Sequence, residues 1–277
     1  MRLGQIRLRE AVTAAVFDGE SARPIPGHTV RDLIRRTETE HATLAELAKD
    51  MASRHAENWR PILPIHPAEV WSCGCTYAVD HVQDQESEPI YEDVYRKPRP
   101  EIFFKGGSRV CVGPGDSIGI RADSKFTVPE PELALVLGPK GKVLAYTLAN
   151  DVSAWDIEHE NPLYLPQSKV YNASCALGPV LITADELQSP YSLELTCTIR
   201  RAGETIFTAA VSTEKLHRRV ETLIEYLYRA NSVPAGSVLL TGTGVTITRA
   251  MALQSGDVVS IRVPEIGELS NPANIVE

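Results

Sequence analysis

The sequence has no long apolar run, few cysteines and no excess of basic residues. No stretch approaches the ~18–20 apolar residues that a membrane helix needs, so we expect no membrane partner. The first ten residues are charged throughout and lack the apolar segment of a signal peptide. Lysine and arginine number 28 against 36 acidic residues. Because a nucleic-acid binder normally carries a basic excess, we expect no nucleic-acid partner.

The five cysteines are too few for a disulfide scaffold, and their number is odd. Cys73 and Cys75 are spaced C-x-C with no second pair after them, which does not match the ligand spacing of a zinc site. Small buried thiols in a reducing compartment are the simpler interpretation. We therefore expect a cytoplasmic protein.

The composition that is present is ordinary for a globular protein, with 43% apolar and 23% charged residues among 277. A chain of this length is at the upper limit for one hydrophobic core, which favours a large domain with a small one. The prolines at positions 61, 64 and 67 indicate a linker. We predict a small N-terminal α/β domain over residues 1–65 and a main domain over residues 66–277.

Short apolar segments separated by glycine and proline dominate the main domain. Strands are predicted at 133–137 and 143–148, flanking a Pro-Lys-Gly turn, and at 193–200 and 204–209, flanking an Ala-Gly turn. Helical spacing predicts one helix over 30–51 and another that begins at Ser212 or Thr213. Since strands do not alternate regularly with helices, we predict a β-rich α+β protein rather than a doubly wound sheet.

The strongest local signal is V-P-E-P-E-L-A-L-V-L-G at 128–138. Residues i and i+2 of a strand face the same side, so Glu130 and Glu132 would project together. The predicted hairpin places Asp151 opposite residues 129–131. Three carboxylates without His or Cys make an oxygen site that suits Mg²⁺, Mn²⁺ or Ca²⁺. The alternative is a pair of solvated glutamates on an edge strand, which Pro131 would also tolerate.

Further motifs follow in order: N-D-V-S-A-W-D at 150–156, a lysine at 169 before Gly-Pro at 178–179, and T-G-T at 241–243. Together with E-P-E they resemble the fumarylacetoacetate hydrolase superfamily, from about residue 70 to the C-terminus. The resemblance implies a mixed β-roll or β-sandwich catalytic domain and a homodimer. It also implies Mg²⁺ or Mn²⁺, or Ca²⁺ in a crystal, held by Glu130, Glu132 and Asp151.

The resemblance also assigns substrate and catalytic residues. Lys169 matches the family's active-site lysine, and Thr243 matches its substrate-contacting threonine. Lys105 and Gln167 are expected as further substrate contacts.

The segment T-Y-A-V-D-H-V-Q-D at 76–84 resembles the family's His–acid pattern, with one residue inserted and Asp in place of Glu. On a helical turn Asp84 would orient and charge the imidazole of His81. The alternative is an exposed histidine near a surface acid.

The stretches 100–105, 160–169, 174–179 and 241–245 resemble most the 2-keto-3-deoxy-sugar-acid dehydratases of this superfamily. We predict a metal-dependent hydro-lyase that takes a small-molecule 2-oxo acid, a 2-keto-3-deoxypentonate, to 2-oxoglutarate semialdehyde through a metal-stabilised enolate. The His–acid pair favours the family's C–C hydrolases of fumarylacetoacetase or acylpyruvase type. A 2-oxo acid decarboxylase and a metal-stabilised binding scaffold stay open as alternatives. The base at C3 is His81 with Asp84, a site carboxylate or a metal-bound water.

Overall fold

The computed structural model describes residues 1–78 and 89–277, and the side chain of Pro89 is outside that description. The N-terminal elements are β1 (Arg2–Leu8), β2 (Ala11–Asp18), β3 (Ser21–Ile25), α1 (Val30–Thr39), α2 (Leu44–Met51) and β4 (Glu57–Asn58). The middle of the chain forms β5 (Val70–Gly74), α3 (Pro89–Arg96), β6 (Glu101–Gly106), β7 (Cys111–Val112), β8 (Ile118–Arg121), β9 (Thr127–Val128), β10 (Pro131–Leu137), β11 (Val143–Asp151), β12 (Ser153–Ala154), α4 (Trp155–Glu160), α5 (Leu165–Lys169) and β13 (Cys175–Thr183). The last elements are β14 (Glu194–Arg201), β15 (Glu204–Ser212), α6 (Val220–Tyr228), β16 (Ser237–Leu240), β17 (Val258–Val263) and β18 (Gly267–Val276).

The largest sheet of the described residues has eleven strands, in the order β4-β3-β2-β1-β13-β11-β10-β16-β5-β6, with β7 beside β13. The N-terminal strands extend this sheet, because β1 pairs antiparallel with β13 and sets Leu3 opposite Leu181. Leu63 and Ile65, in the proline-rich segment, are buried. The division at residue 65 therefore does not coincide with a break in the sheet, and the two-domain organisation stays a prediction.

The core lies on both faces of the large sheet, and β10 shows how. Its odd-numbered residues, such as Leu133 and Leu135, pack with the five-stranded sheet β15-β14-β17-β18-β8. Its even-numbered residues, Ala134 and Val136, pack with Leu33 and the other apolar residues of α1. This alternation is the period of two that a strand buried on both faces requires. The predicted β-rich α+β class is confirmed.

The predicted helix over 30–51 is wrong as one unit, because two helices occupy this stretch. Each begins with a capping box, formed by Thr29 with Asp32 and by Thr43 with Glu46. The backbone N–H of Glu46 donates to Thr43 Oγ1 at 3.2 Å, instead of to a carbonyl one turn earlier. The second capping box therefore starts a new helix rather than continuing the first.

The predicted start of the last helix is also corrected. Ser212 caps only a 3₁₀ turn over 213–215, and the α-helix begins at Val220. The residues between them run extended, since Leu216 forms a β-bridge with Tyr77 and the N–H of His217 donates to the carbonyl of Thr76 at 2.8 Å. Tertiary hydrogen bonds thus replace the helical ones in this stretch. No helix of the described residues is long and apolar enough to span a membrane.

Candidate active site

Three acidic side chains meet where the hairpin of β10 and β11 opens. Pro131 lies opposite Asn150 in the ladder, and the N–H of Asp151 donates to the carbonyl of Glu130 at 2.9 Å. Asp151 is therefore opposite Glu130, as the predicted register requires. One carboxylate oxygen of each of Glu130, Glu132 and Asp151 lies within 4.8 Å of the others. Strand period and hairpin register together produce this convergence.

Burial excludes the alternative of solvated glutamates on an edge strand. Glu130 is 7% exposed, whereas Glu132 and Asp151 are 0% exposed. β10 lies between β11 and β16, inside the sheet. Pro131 is tolerated there because it is the first residue of its strand.

Two buried lysines face the three carboxylates. Lys169 Nζ donates to both carboxylate oxygens of Glu130 at 2.9 Å and to Ser153 Oγ at 2.7 Å. Lys105 Nζ lies 2.5 Å from Asp151 Oδ1 and donates to the carbonyl of Val152 at 3.0 Å. Lys169 is 4% exposed and Lys105 is 0% exposed. Both lysines are therefore part of the buried site and do not lie on the surface, where most lysines are found.

Neutral donors hold each carboxylate in place. Ser72 Oγ donates to Asp151 Oδ2 at 2.7 Å, and Trp155 Nε1 donates to Glu130 Oε1 at 2.6 Å.

The T-G-T motif serves Glu132, because the N–H of Gly242 donates to Glu132 Oε2 at 2.5 Å. Gly242 has φ +89°, and a Cβ on it would lie 2.1 Å from Thr76 Oγ1. Glycine is thus required at this position of the motif.

The electrostatics of the cluster favour added positive charge. Burial, followed by the charges of Asp151 and Glu130, raises the pKa of Glu132 well above its usual value. Burial alone would lower the pKa of Lys169, but Asp151 and Glu130 outweigh it and hold that pKa well above the usual range. Burial would likewise raise the pKa of Asp151, yet the charges of Lys105 and Lys169 leave it lowered.

The donor set fits a divalent cation. Glu132 Oε1 is buried and has no hydrogen-bond partner among the described residues. Asp151 Oδ1 has the ion pair with Lys105 but no aligned hydrogen bond within the described ranges. Three carboxylates against two ammonium groups leave one net negative charge. Because a buried acceptor without a partner is costly, oxygen atoms left in this way are suited to coordinate a hard cation such as Mg²⁺.

Glu101 is a site residue that sequence reasoning missed. It lies on β6 with Phe103 and Lys105 at a spacing of two, and Lys169 Nζ is 5.5 Å from the centre of the Phe103 ring. Burial raises the pKa of Glu101, although the charge of Lys169 opposes this. The strand period counted from Lys105 was the signal that could have found Glu101.

The space for the Glu101 side chain depends on the last residue of β5 and the residue after it. A Cβ on Gly74 would lie 2.0 Å from Glu101 Oε2, so glycine leaves room for the carboxylate. The thiol of Cys75 donates to the same oxygen at 3.7 Å. All five cysteines of the chain are free thiols.

The other predicted site residues have no described contact with the three carboxylates. Thr243 is half-buried beside the glycine that holds Glu132. Gln167 is exposed on α5, where its main-chain carbonyl accepts a hydrogen bond from Arg121 Nη1 at 2.7 Å. His81 and Asp84 lie outside the described residues. The substrate and catalytic roles of all these residues stay predictions.

Comparison with known proteins agrees with this geometry. The family model described as fumarylacetoacetate (FAA) hydrolase C-terminal matches residues 69–274. Because the match covers most of the sequence, the chain belongs to the fumarylacetoacetate hydrolase family. The family predicted from the motifs is thereby confirmed.

Individual relatives are similar over nearly their whole length. The chain is 40% identical over 273 residues to 2-dehydro-3-deoxy-D-arabinonate dehydratase of Saccharolobus solfataricus, covering 94% of this chain and 92% of that protein. It is 39% identical to a probable 2-keto-3-deoxyxylonate dehydratase of Haloferax volcanii, covering 99% and 97%. A solved 2-keto-3-deoxy-D-arabinonate dehydratase complexed with magnesium and 2,5-dioxopentanoate has a TM-score of 0.85 at 40% identity, covering 100% of both chains. The predicted resemblance to the dehydratase subgroup is confirmed.

Proposed function

We propose that this protein is a magnesium-dependent hydro-lyase that converts a 2-keto-3-deoxypentonate to 2-oxoglutarate semialdehyde. One observation carries the proposal, namely the buried cluster of Glu130, Glu132 and Asp151 beside Lys105 and Lys169. Its single net negative charge becomes neutral when one divalent cation and one monoanionic 2-oxo acid are added. The relatives named above support the reaction, and 2,5-dioxopentanoate is the same compound as 2-oxoglutarate semialdehyde.

Glu130, Glu132 and Asp151 would hold the cation. A bound Mg²⁺ supplies Lewis acidity to the carboxylate and ketone oxygens of a 2-oxo acid. The protein then has two further tasks, which are to fix the substrate anion and to move protons. Both tasks need ionisable groups that are buried beside the cluster, and the described residues provide them.

Lys169 is suited to bind the substrate anion. Its ammonium group has three donors, and Glu130 and Ser153 are its hydrogen-bond partners within 3 Å. A substrate oxygen next to the cluster would compete with Glu130 for the ammonium group of Lys169. Burial makes such a charge-assisted hydrogen bond stronger than it would be in water.

Glu101 is suited to take the C3 proton. Burial moves the pKa of Glu101 upward, toward neutral pH, and a general base works best when its pKa is near the working pH. Removal of one C3 proton and departure of the 4-hydroxyl with a proton release one water. The product of this elimination then loses a C5 proton and gains one at C3, which leaves an enol between C4 and C5. Loss of the O5 proton and protonation of C4 convert this enol to the terminal aldehyde. His81 with Asp84 is the competing candidate for the base.

Product analysis tests the reaction. The protein with Mg²⁺ is given 2-keto-3-deoxypentonates and acylpyruvates in parallel, and the products are identified by mass spectrometry. We expect 2-oxoglutarate semialdehyde from a pentonate and no pyruvate from the acylpyruvates. Pyruvate from acylpyruvates alone would make the protein a C–C hydrolase, and release of CO₂ a decarboxylase. Absence of proton exchange at C3 of 2-oxobutanoate would favour a binding scaffold.

Size-exclusion chromatography and cell fractionation test the predicted homodimer and its cytoplasmic location.

A further inference from the structure

Three polar side chains meet on the helical side of the site, and the metal cluster does not use them. Glu158 on α4 accepts from the hydroxyl of Tyr91 on α3 at 3.1 Å and from Ser168 Oγ on α5 at 3.3 Å. Glu158 is half-buried, and no cation pairs with it in the described part of the chain. With two long neutral hydrogen bonds among the described residues, this half-buried carboxylate has acceptor capacity left over.

This group faces the same space as the cluster. Trp155, one helical turn before Glu158, donates its indole N–H to Glu130. Ser168 is the neighbour of Lys169 in sequence. Because Ser168 Oγ donates to Glu158, the Glu158 carboxylate lies beside the residue that precedes Lys169. The three helices therefore place an acceptor near Lys169 and Glu130, beside which the carboxylate and ketone of the substrate are proposed to bind.

The length of the substrate sets how far its distal hydroxyl reaches from the cluster. Four C–C bonds of ~1.5 Å in a zigzag separate C1 from C5 of a pentonate by about 5 Å. With C1 and C2 at the cluster and Lys169, the distal carbons extend away from the carboxylates. The only functional groups there are hydroxyls, which donate hydrogen bonds. Among protein side chains, a carboxylate is the strongest hydrogen-bond acceptor for a neutral donor such as a hydroxyl.

We infer that Glu158, oriented by Tyr91 and Ser168, accepts a hydrogen bond from the C5 hydroxyl and sets the preference for hydroxylated over plain 2-oxo acids. The inference rests on the proposed function, because it takes the pentonate as the substrate class. It assigns a specificity role to a residue that holds neither the metal nor C3 and C4, the two carbons from which water is removed.

Two ligands that cannot be dehydrated test the subsite. 5-Hydroxy-2-oxopentanoate and 2-oxopentanoate both lack the C4 hydroxyl and differ only at C5. Calorimetry in Mg²⁺ should show the wild type binding the hydroxylated ligand at least about tenfold more tightly, the low end of the range for a hydrogen bond to a charged group. Glu158→Gln should reduce that preference at least threefold, and Glu158→Ala should abolish it. Affinity for 2-oxopentanoate should stay within twofold in both variants.

Glu160→Gln is the matched control, since Glu160 is an exposed carboxylate on the same helix. It should keep the wild-type preference. Thermal melts check that each variant folds, and the Gln variant suffices where the Ala variant does not. A wild-type preference below twofold would overturn the subsite. Equal weakening of both ligands by Glu158→Gln would also overturn it, because Glu158 would then act through Lys169.

The subsite and the proposed function fail in different ways. Formation of aldehyde from a pentonate tests the function, whereas neither calorimetric ligand is turned over. A wild type that makes no aldehyde but prefers the hydroxylated ligand would overturn the reaction and retain the subsite. A wild type that makes aldehyde without this preference would overturn the subsite alone.

Discussion

Asp257 and Glu132 are both buried acids, but their surroundings differ. Asp257 is 1% exposed, and Arg201 donates to both of its carboxylate oxygens at 2.8 Å. The N–H of Gln254 donates to Asp257 Oδ2 at 2.8 Å as well. Glu132 is 0% exposed, has one donor on Oε2 and none on Oε1 within the described residues, and faces two other carboxylates.

The difference separates a structural acid from a functional one. Asp257 meets one cation and has every oxygen satisfied, so it can stay ionised in the folded chain without any ligand. Glu132 is held in a repulsive group with an open oxygen, which is an arrangement that folding alone does not favour. Such a residue is suited to bind a cation.

The largest expected effect is on turnover. Glu132→Gln should lower kcat for dehydration by ~10³-fold or more, because several kcal/mol of transition-state stabilisation would depend on the cation that Glu132 is proposed to hold. Asp257→Asn should leave kcat per folded molecule within about threefold, since Asp257 does not contact the site. Steady-state assays with active-site titration check both values. Equal losses of kcat in the two variants would mean that Glu132 and Asp257 do not differ in function.

Lys169→Met should lower kcat/KM by ~10²–10³-fold, the range for loss of one donor to an anionic site. The buried position between Glu130 and Ser153 is the physical reason. Lys125→Met, at an exposed lysine, is the matched control and should leave kcat/KM unchanged. An unaltered kcat/KM in Lys169→Met would exclude it from substrate binding.

Glu101→Gln should lower kcat by about 10²-fold if Glu101 moves the C3 proton. His81→Ala, assayed beside it, decides between the two candidate bases. Loss of C3 proton exchange with 2-oxobutanoate in the glutamine variant would assign the base to Glu101. A larger loss of exchange in His81→Ala would assign it to the His81 pair.

The metal cluster could be predicted from sequence, because strand period and hairpin register are local rules that a Pro-Lys-Gly turn fixes. Glu101 could not be singled out, since its importance comes from β6 lying at one end of the sheet beside Lys169, which is a tertiary relation. The break between α1 and α2 was also missed, although Thr43 and Glu46 form a capping box that is visible in the sequence. The extended stretch at Leu216 had no such local signal, because its partner Tyr77 is distant in the chain.

Stability should respond in the opposite sense to turnover. Asp257→Asn should lower the free energy of unfolding by about 2–4 kcal/mol, because it leaves Arg201 without its partner. Glu132→Gln should leave the metal-free protein as stable as the wild type or more so, since it removes one of three repelling charges. Urea unfolding of both variants without metal measures this. A metal-free Glu132→Gln that is much less stable would make Glu132 a structural acid too.

The smallest effect expected is a pH dependence of stability. The folded-state pKa of Glu132 is raised above 4.5 by burial and by Asp151 and Glu130. The stability that it contributes is therefore present in full below pH 4.5 and is lost as pH rises through the raised value. Melting temperatures without metal should fall less steeply with pH in Glu132→Gln than in the wild type. Identical slopes in the two proteins would contradict the raised pKa.

Calorimetric titration of Mg²⁺ into the wild type, Glu132→Gln and Asp257→Asn tests the central claim most directly. The claim is that the open oxygens of the Glu130, Glu132 and Asp151 cluster make a metal site, and that a fully partnered buried acid does not. We predict one binding site in the wild type, an unchanged site in Asp257→Asn, and loss of most of the affinity in Glu132→Gln. Unchanged Mg²⁺ binding by Glu132→Gln would contradict the account.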